Sequence, residues 1–198
     1  MSPSDYGTLL LVLLTFGVAA GLLAWLAPAA RRIWAPATLL LLVAAGAVAA
    51  TPSSVDVESG GATVVLVVLG GLLAIVGGGP LTALVFDLVD RRERPAAAGH
   101  GADPPDTSLG DAITSAGHVL RGGAWIGALE RVAIYAALVA GWPAGLAVVL
   151  AVKGLGRYPE LRAGEDGVRT GAAERFIIGT FASVLWACAC AGVVLLVG

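Results

Sequence analysis

Long uncharged stretches alternate with polar ones along the chain, and their lengths predict its architecture. An α-helix needs about 20 apolar residues to cross the hydrocarbon core of a bilayer. Six stretches are candidate crossings: 8–28, 35–50, 61–89, 124–141, 143–155 and 173–198. The pattern therefore predicts an all-α integral membrane bundle of about six transmembrane helices, forming a single domain over residues 1–198.

The third stretch contains the sequence Gly77-Gly78-Gly79-Pro80 near its middle. Proline lacks the amide donor of a helical hydrogen bond and glycine adds backbone freedom, so we expect the helix to be interrupted there. Such a break could present backbone groups to a substrate, or it could form a kink or a packing cleft. Because transporter breaks usually occur in repeat-related pairs and only one is found, the packing cleft is the favoured interpretation.

Trp142 and Pro143 separate the fourth and fifth stretches and predict a tight helical hairpin. The uncharged part of the fifth stretch, 143–152, is only about 15 Å long as a helix. It therefore crosses a bilayer only if Lys153 and Arg157 extend to the interface, and otherwise it re-enters.

Two polar regions predict loops. Residues 91–123 are expected to form a cytoplasmic loop with a short amphipathic helix after Ser108, because apolar residues recur there at three- and four-residue intervals. Residues 156–172 are expected to form a second loop. His100 and His118 lie far apart in the first loop without clustered metal ligands, so we expect no role for them.

The basic residues predict the orientation, because cytoplasmic loops carry the excess of Lys and Arg. The first, third and fifth connections contain arginines, whereas the other connections and both ends contain none: the arginines are Arg31, Arg32, Arg91, Arg92, Arg94, Arg121, Arg157, Arg162 and Arg169. This distribution predicts that both termini lie outside. Arg131, Lys153 and Arg175 lie within the stretches, and each is expected near a cytoplasmic helix end.

Composition supports the membrane class and excludes others. The chain is 58% hydrophobic and 13% charged, whereas soluble domains are about 45–50% apolar and about 25% charged. The net charge of −2 and the lack of a basic block exclude nucleic acid as a partner. Cys188 and Cys190 lie two residues apart in an apolar helix and cannot bridge each other.

Small residues recur at four-residue spacing in four stretches, which predicts close helix contacts within the bundle or in a homo-oligomer. These residues are Gly17 and Gly21; Gly70, Ala74 and Gly78; Ala133, Ala137 and Gly141; and Gly179, Ser183, Ala187 and Ala191.

Ionisable residues gather where the fourth, fifth and sixth stretches approach the cytoplasm: Glu130, Arg131, Lys153, Arg157, Glu160, Glu174 and Arg175. Glu130 lies about 9 Å inside the fourth helix, too deep for a short acidic side chain to reach water. A buried carboxylate requires a basic partner. Lys153 and Arg157 lie four apart on one helix face, and the hairpin returns that face to the same depth. The favoured pair is therefore Glu130 with Lys153 or Arg157.

This cluster has two interpretations. Its charges could anchor the helices and neutralise one another, or they could form a site. Its surplus of basic over acidic residues favours an anionic lipid headgroup or a small anion.

Asp87 and Asp90 share a helix face and could chelate Mg²⁺, although the neighbouring arginines favour a neutralised helix end. The sequence contains none of the common catalytic motifs, so we predict no catalytic residue, no metal site and no cofactor.

Three sequence blocks carry a resemblance to a known family: GGAWIGALER (122–131), AVKGLGRYPEL (151–161) and AERFIIGTFAS (173–183). Their order and spacing resemble the C-terminal half of an uncharacterised bacterial family of multi-pass membrane proteins, catalogued only as a domain of unknown function. The resemblance implies a location in the bacterial inner membrane and no known activity. It singles out the positions that the family shares: Glu130, Arg131, Lys153, Arg157, Glu174 and Thr180.

The favoured function is that of a non-enzymatic accessory or scaffold protein whose cytoplasmic charged cluster binds an anionic lipid or another membrane protein. One alternative is a small transporter or channel that uses the broken third helix. Another is a membrane enzyme that acts on a lipid-linked phosphate through Asp87, Asp90 and the basic cluster.

Overall fold

The structure is a computed structural model that describes residues 3–51, 60–97, 121–163 and 166–197. Within these ranges the chain is all-helical. It forms six α-helices, with a short 3₁₀ turn, Pro28–Ala30, between the first two. The helices are α1 (Pro3–Leu26), α2 (Arg31–Ala49), α3 (Gly60–Ala97), α4 (Arg121–Val139), α5 (Ala144–Ala163) and α6 (Asp166–Leu195).

Four helical segments among the described residues are long and apolar enough to cross a membrane: Asp5–Leu26, Pro28–Ala49, Gly61–Val89 and Ala173–Leu195. They match the first, second, third and sixth predicted crossings. α4 and α5 are not among these four segments, and their crossing stays a prediction.

The predicted hairpin between α4 and α5 is confirmed. Gly141 adopts a left-handed conformation, with φ of 72°, which a residue without a Cβ tolerates. The amide of Gly141 donates to the carbonyl of Leu138 at 3.0 Å, and the amide of Trp142 donates to that of Ala137 at 2.8 Å. These two bonds form a Schellman motif, which satisfies the last carbonyls of α4 and reverses the chain.

The expected interruption of the third helix is wrong, because α3 runs without a break from Gly60 to Ala97. Pro80 removes the amide that would bond to the carbonyl of Val76 four residues earlier. The indole Nε1 of Trp25 on α1 donates to that carbonyl at 2.8 Å instead. A neighbouring helix thus replaces the missing donor, and α3 stays helical through the proline.

The three glycines before Pro80 allow other helices to approach α3 closely. A Cβ added at Gly77 would lie 2.3 Å from Cζ2 of Trp186 on α6. At Gly79 it would lie 2.5 Å from Cζ2 of Trp25. The segment is therefore a contact site for two tryptophans, which agrees with the packing interpretation of the sequence rather than with a broken helix.

The predicted loop boundaries need correction. α3 continues to Ala97, α5 continues to Ala163, and α6 already begins at Asp166. The apolar stretches mark only the part of a helix that suits a membrane, whereas Arg, Glu, Leu and Ala extend a helix equally well in water. The amphipathic helix predicted after Ser108 lies outside the described residues, as do both histidines.

α3 lies at the centre of the bundle, where it contacts α1, α2, α4 and α6. The core contains Leu14, Leu42, Leu66, Leu73 and Trp186. Among the described helices α5 contacts only α4 and α6, so it lies at the edge of the bundle.

The small-residue stripes of α1, α3 and α6 contribute to this packing. A Cβ at Gly21 would lie 2.9 Å from Val76, and Ala187 and Ala191 are fully buried. In α4 the stripe is only partly used, since Ala133 is exposed.

Candidate functional site

The predicted cluster of ionisable residues divides into two groups at different heights in the bundle. One group, which we call the midpoint cluster, comprises Glu130, Arg131, Lys153, Thr180 and Ser183. The other lies at the end of the bundle where α1, α3 and α5 finish and α2, α4 and α6 begin. We call it the charged end. Lys153 and Arg157 belong to different groups because four residues of helix separate them by about 6 Å.

Glu130 and Lys153 form the ion pair that the sequence predicted, across the interface of α4 and α5. Their side chains are only 13% and 19% exposed, so water screens the pair poorly. The ammonium of Lys153 also lies 5.9 Å from the ring centre of Phe176 on α6, within the range of a cation–π interaction. These contacts join the edge helix α5 to both of its neighbours.

Arg131 points into the bundle and is only 4% exposed. Its Nη2 donates to the carbonyl of Ile75 on α3 and its Nη1 donates to Oγ of Ser183 on α6, each at 3.2 Å. Its Nε is buried and makes no hydrogen bond within the described part of the chain. A single arginine thus joins three helices, and both of its acceptors are neutral.

The position of Arg131 along the bundle differs from the prediction. It was expected near a cytoplasmic helix end, as was Lys153. Ile75 is the central residue of the apolar span Gly61–Val89, and Ser183 lies one residue from the centre of Ala173–Leu195. Arg131 therefore lies halfway along the apolar spans. Lys153 lies at a similar height, because it is halfway along α5 and pairs with the residue next to Arg131.

The midpoint cluster has a surplus of positive charge. Glu130 makes its ion pair with Lys153, and no described carboxylate lies within ion-pair distance of Arg131. The midpoint cluster therefore contains one acidic and two basic side chains. A charge at the centre of an apolar helix costs about 2.5–3.5 kcal/mol on insertion scales, so this arrangement is expensive.

Thr180, one of the positions that the predicted resemblance singled out, lies on the same face of α6 as Ser183 because the two residues are three apart. Its Oγ1 is buried and makes no hydrogen bond within the described residues. Other helical threonines here bond to the carbonyl four residues earlier, as Thr38 does to Trp34 and Thr82 does to Gly78, both at 2.8 Å. A buried polar group without a partner costs about 1–3 kcal/mol.

Three further side chains that donate to α3 were missed by sequence reasoning. Trp25 donates to Val76, Trp186 donates to the carbonyl of Leu73 at 3.1 Å, and Tyr135 donates to that of Val67 at 2.7 Å. Together with Arg131 they bring side-chain donors from α1, α4 and α6 onto carbonyls of α3. One signal was available, because Pro80 leaves the Val76 carbonyl without its helical donor and an indole N–H in apolar surroundings needs an acceptor.

The charged end contains an ion pair and several exposed groups. Nη2 of Arg31 lies 3.2 Å from Oδ2 of Asp87, which agrees with the neutralised helix end favoured from the sequence. Arg157, Glu174 and Arg175 are exposed at the end of α5 and the start of α6. The side chains of Asp90 and Glu160 lie outside the described part of the structure. Among the described residues no group of three or more metal-ligating side chains is found.

A groove of about 290 Å³ opens at the charged end between α2 and α3. Its lining consists of Arg32, Pro36, Leu84, Asp87 and Leu88. The lining therefore combines three apolar side chains with two charged ones.

No protein-family model, curated protein or solved structure matches this chain. The resemblance of residues 122–183 to an uncharacterised family therefore stays a prediction.

Proposed function

We propose that the chain is an integral membrane protein of the bacterial inner membrane that crosses the bilayer six times, with the charged end in the cytoplasm and both termini outside. On this proposal it is a non-enzymatic accessory or scaffold protein, related to the uncharacterised family that it resembles. Its charged end binds an anionic lipid or an anionic surface of a partner protein.

The lengths and contacts of α4 and α5 support six crossings. The two helices have 19 and 20 residues, which corresponds to about 28 and 30 Å and suits a hydrocarbon core of about 30 Å. Glu130 and Lys153 neutralise each other, and Arg131 donates into the bundle. Trp125 and Leu155 present exposed apolar surface that lipid would cover.

The proposed function is supported by the different positions of the polar side chains inside the bundle and of the basic side chains at the charged end. Four side-chain donors that point at α3, Trp25, Arg131, Tyr135 and Trp186, bond to its backbone carbonyls. The basic residues of the charged end are placed differently, because Arg32, Arg157 and Arg175 are exposed at the surface. Basic side chains near a membrane surface attract anionic headgroups by about 1 kcal/mol each. The contrast favours a rigid scaffold in the membrane with a binding surface at its basic end.

Native mass spectrometry of the full chain, released from membranes in mild detergent, tests this proposal. We expect anionic phospholipid or a partner protein to be retained, and retention to fall when Arg32, Arg157 and Arg175 are together replaced by Gln. Wild-type protein that retains neither, with crosslinking in membranes also giving no adduct, would contradict the proposal.

The midpoint cluster supports one second candidate, a small transporter, because ionisable residues halfway along apolar helices often lie on transport pathways. The continuous α3 removes the helix break that first suggested transport, so this candidate depends on Glu130, Arg131 and Lys153 alone. Anion flux into proteoliposomes that is lost on Glu130→Gln would favour it. Equal flux in protein-free vesicles would reject it.

A further inference from the structure

The groove between α2 and α3 lies at the height where the apolar part of the bundle ends. Arg32 is in the first turn of α2, and Leu84 and Leu88 are in the last turns of the apolar span Gly61–Val89. Its volume of about 290 Å³ is close to the lower limit of small-molecule sites, about 300 Å³. A ligand here would therefore lie partly in the headgroup region and partly beside apolar side chains.

An exposed apolar track leads away from the groove along α2. Arg32, Pro36, Leu40 and Val43 are spaced by four, four and three residues, which places them on one helix face. Leu40 is 67% exposed and Val43 is 61% exposed. The face therefore begins with a cation at the charged end and continues as apolar surface toward the middle of the bundle. This order is complementary to an anionic phospholipid, in which a negative headgroup is followed by apolar acyl chains.

The electrostatics of the groove favour an anion. Asp87 is paired with Arg31, whereas the exposed Arg32 makes no ion pair within the described residues. Among the described residues at the groove, two arginines, Arg31 and Arg32, are present with one carboxylate, Asp87. Asp87 is thus already neutralised, and Arg32 is left to attract a negative group.

We propose that this groove binds one anionic phospholipid, with its phosphate against Arg32 at the level of Leu88 and an acyl chain along Leu84, Pro36 and Leu40. The inference rests on the proposed function, since it assumes that the chain lies in a membrane with this end at a headgroup surface. It adds the class of ligand and the location of its site.

The test compares lipid affinities of the purified full chain in nanodiscs of phosphatidylcholine that contain increasing amounts of phosphatidylglycerol. Arg32→Gln removes the cation, and Leu88→Trp fills the groove without changing a charge. Arg175→Gln, which removes an exposed arginine of the same end on α6 outside the groove, measures the share of diffuse charge in binding. The matched control for Leu88→Trp is Leu155→Trp, an exposed apolar residue of α5. Circular dichroism and gel filtration verify that each variant folds. If Arg32→Gln does not fold, Leu88→Trp still tests the proposal.

We expect Arg32→Gln to weaken phosphatidylglycerol binding about fivefold, the equivalent of about 1 kcal/mol for one arginine near an anionic lipid. Leu88→Trp should weaken it to a similar extent, Arg175→Gln should weaken it less than Arg32→Gln does, and Leu155→Trp should stay within about twofold of wild type. This selective loss, together with weaker binding of phosphatidylcholine by wild type, supports the groove as the site.

Three results would overturn the inference in distinguishable ways. If Arg32→Gln and Arg175→Gln weaken binding equally, the lipid preference arises from diffuse charge, and the proposed function survives without the groove. If a photocrosslinker at Leu88 captures an acidic protein instead of lipid, the groove is a protein docking site and the proposed function again survives. If wild type shows no preference for phosphatidylglycerol and captures no partner, both proposals fail.

Discussion

The balance of charge around Glu130 determines how the edge helix α5 is held in the bundle. Its carboxylate and the ammonium of Lys153 are both shielded, so each depends on the other for neutralisation. Desolvation makes such a pair a weak source of stability, but the loss of one partner leaves a buried charge. The pair therefore specifies which face of α5 contacts α4, even if it contributes little net free energy.

Removing one partner should accordingly cost more than removing both. We expect Glu130→Ala to lower the free energy of unfolding by about 3–5 kcal/mol, because Lys153 is left unpaired. The double variant Glu130→Ala, Lys153→Ala should lose less than this single change. Denaturant titration in mixed micelles measures both, and losses that simply add would contradict the pair.

A second residue-scale prediction concerns Pro80 and Trp25. Trp25→Phe removes the indole donor and leaves the Val76 carbonyl unpaired, at a cost of about 1–3 kcal/mol. Pro80→Ala restores a helical amide to that carbonyl, so Trp25→Phe should cost less in the Pro80→Ala background. The same unfolding measurement gives this double-mutant cycle. A cost that is independent of the residue at position 80 would show that the indole bond does not compensate for the proline.

Among the elements, α3 determines how closely the other helices pack. Its glycines at 77, 78 and 79 lie against Trp186, Arg131 and Trp25, each at a distance that excludes a methyl group. The residues just before these glycines provide carbonyls that accept from α1, α4 and α6, at Val76, Ile75 and Leu73. The glycine-rich segment is therefore a junction of helices.

Adding a methyl group to this junction should destabilise the protein. Gly77→Ala places a Cβ 2.3 Å from Trp186, and overpacking of this kind costs about 1–3 kcal/mol. The control is Gly154→Ala on α5, where nothing lies within 4 Å of the added Cβ; there the better helix propensity of alanine should add about 0.5–1 kcal/mol. Thermal unfolding in detergent compares the two. A Gly77→Ala variant as stable as wild type would contradict the close packing.

Sequence reasoning succeeded where the chemistry of a residue determines which type of residue must be its partner. A carboxylate deep in an apolar helix requires a cation, and the spacing of the hairpin supplied Lys153. Sequence reasoning failed where the partner is a backbone carbonyl, because every residue has a carbonyl and no residue type indicates which one accepts the hydrogen bond. For this reason the acceptor of Arg131 and its depth were missed, and Gly77 to Pro80 was interpreted from rules for an isolated helix although α1 supplies the missing donor.

On the scale of the whole molecule, charge is sorted along the bundle axis. The charged end is formed by the last turns of α1, α3 and α5 and the first turns of α2, α4 and α6. The Arg31–Asp87 pair and the contact of Gly179 with Phe86 show that α2 and α6 start beside the later part of α3. At the opposite end lie the turn at Gly141 and the end of α6, and the described residues there include no Lys or Arg. This arrangement is what a six-crossing protein with a basic cytoplasmic side would have.

Cysteine labelling at the two ends of α5 tests the six-crossing topology most directly. With Cys188→Ala and Cys190→Ala as background, Trp142→Cys places one thiol just before the helix and Arg157→Cys places one in its last two turns. We predict that a membrane-impermeant maleimide labels Trp142→Cys in intact cells and labels Arg157→Cys only after the membrane is opened. Labelling of Arg157→Cys in intact cells would mean that α5 re-enters instead of crossing, and it would contradict the account.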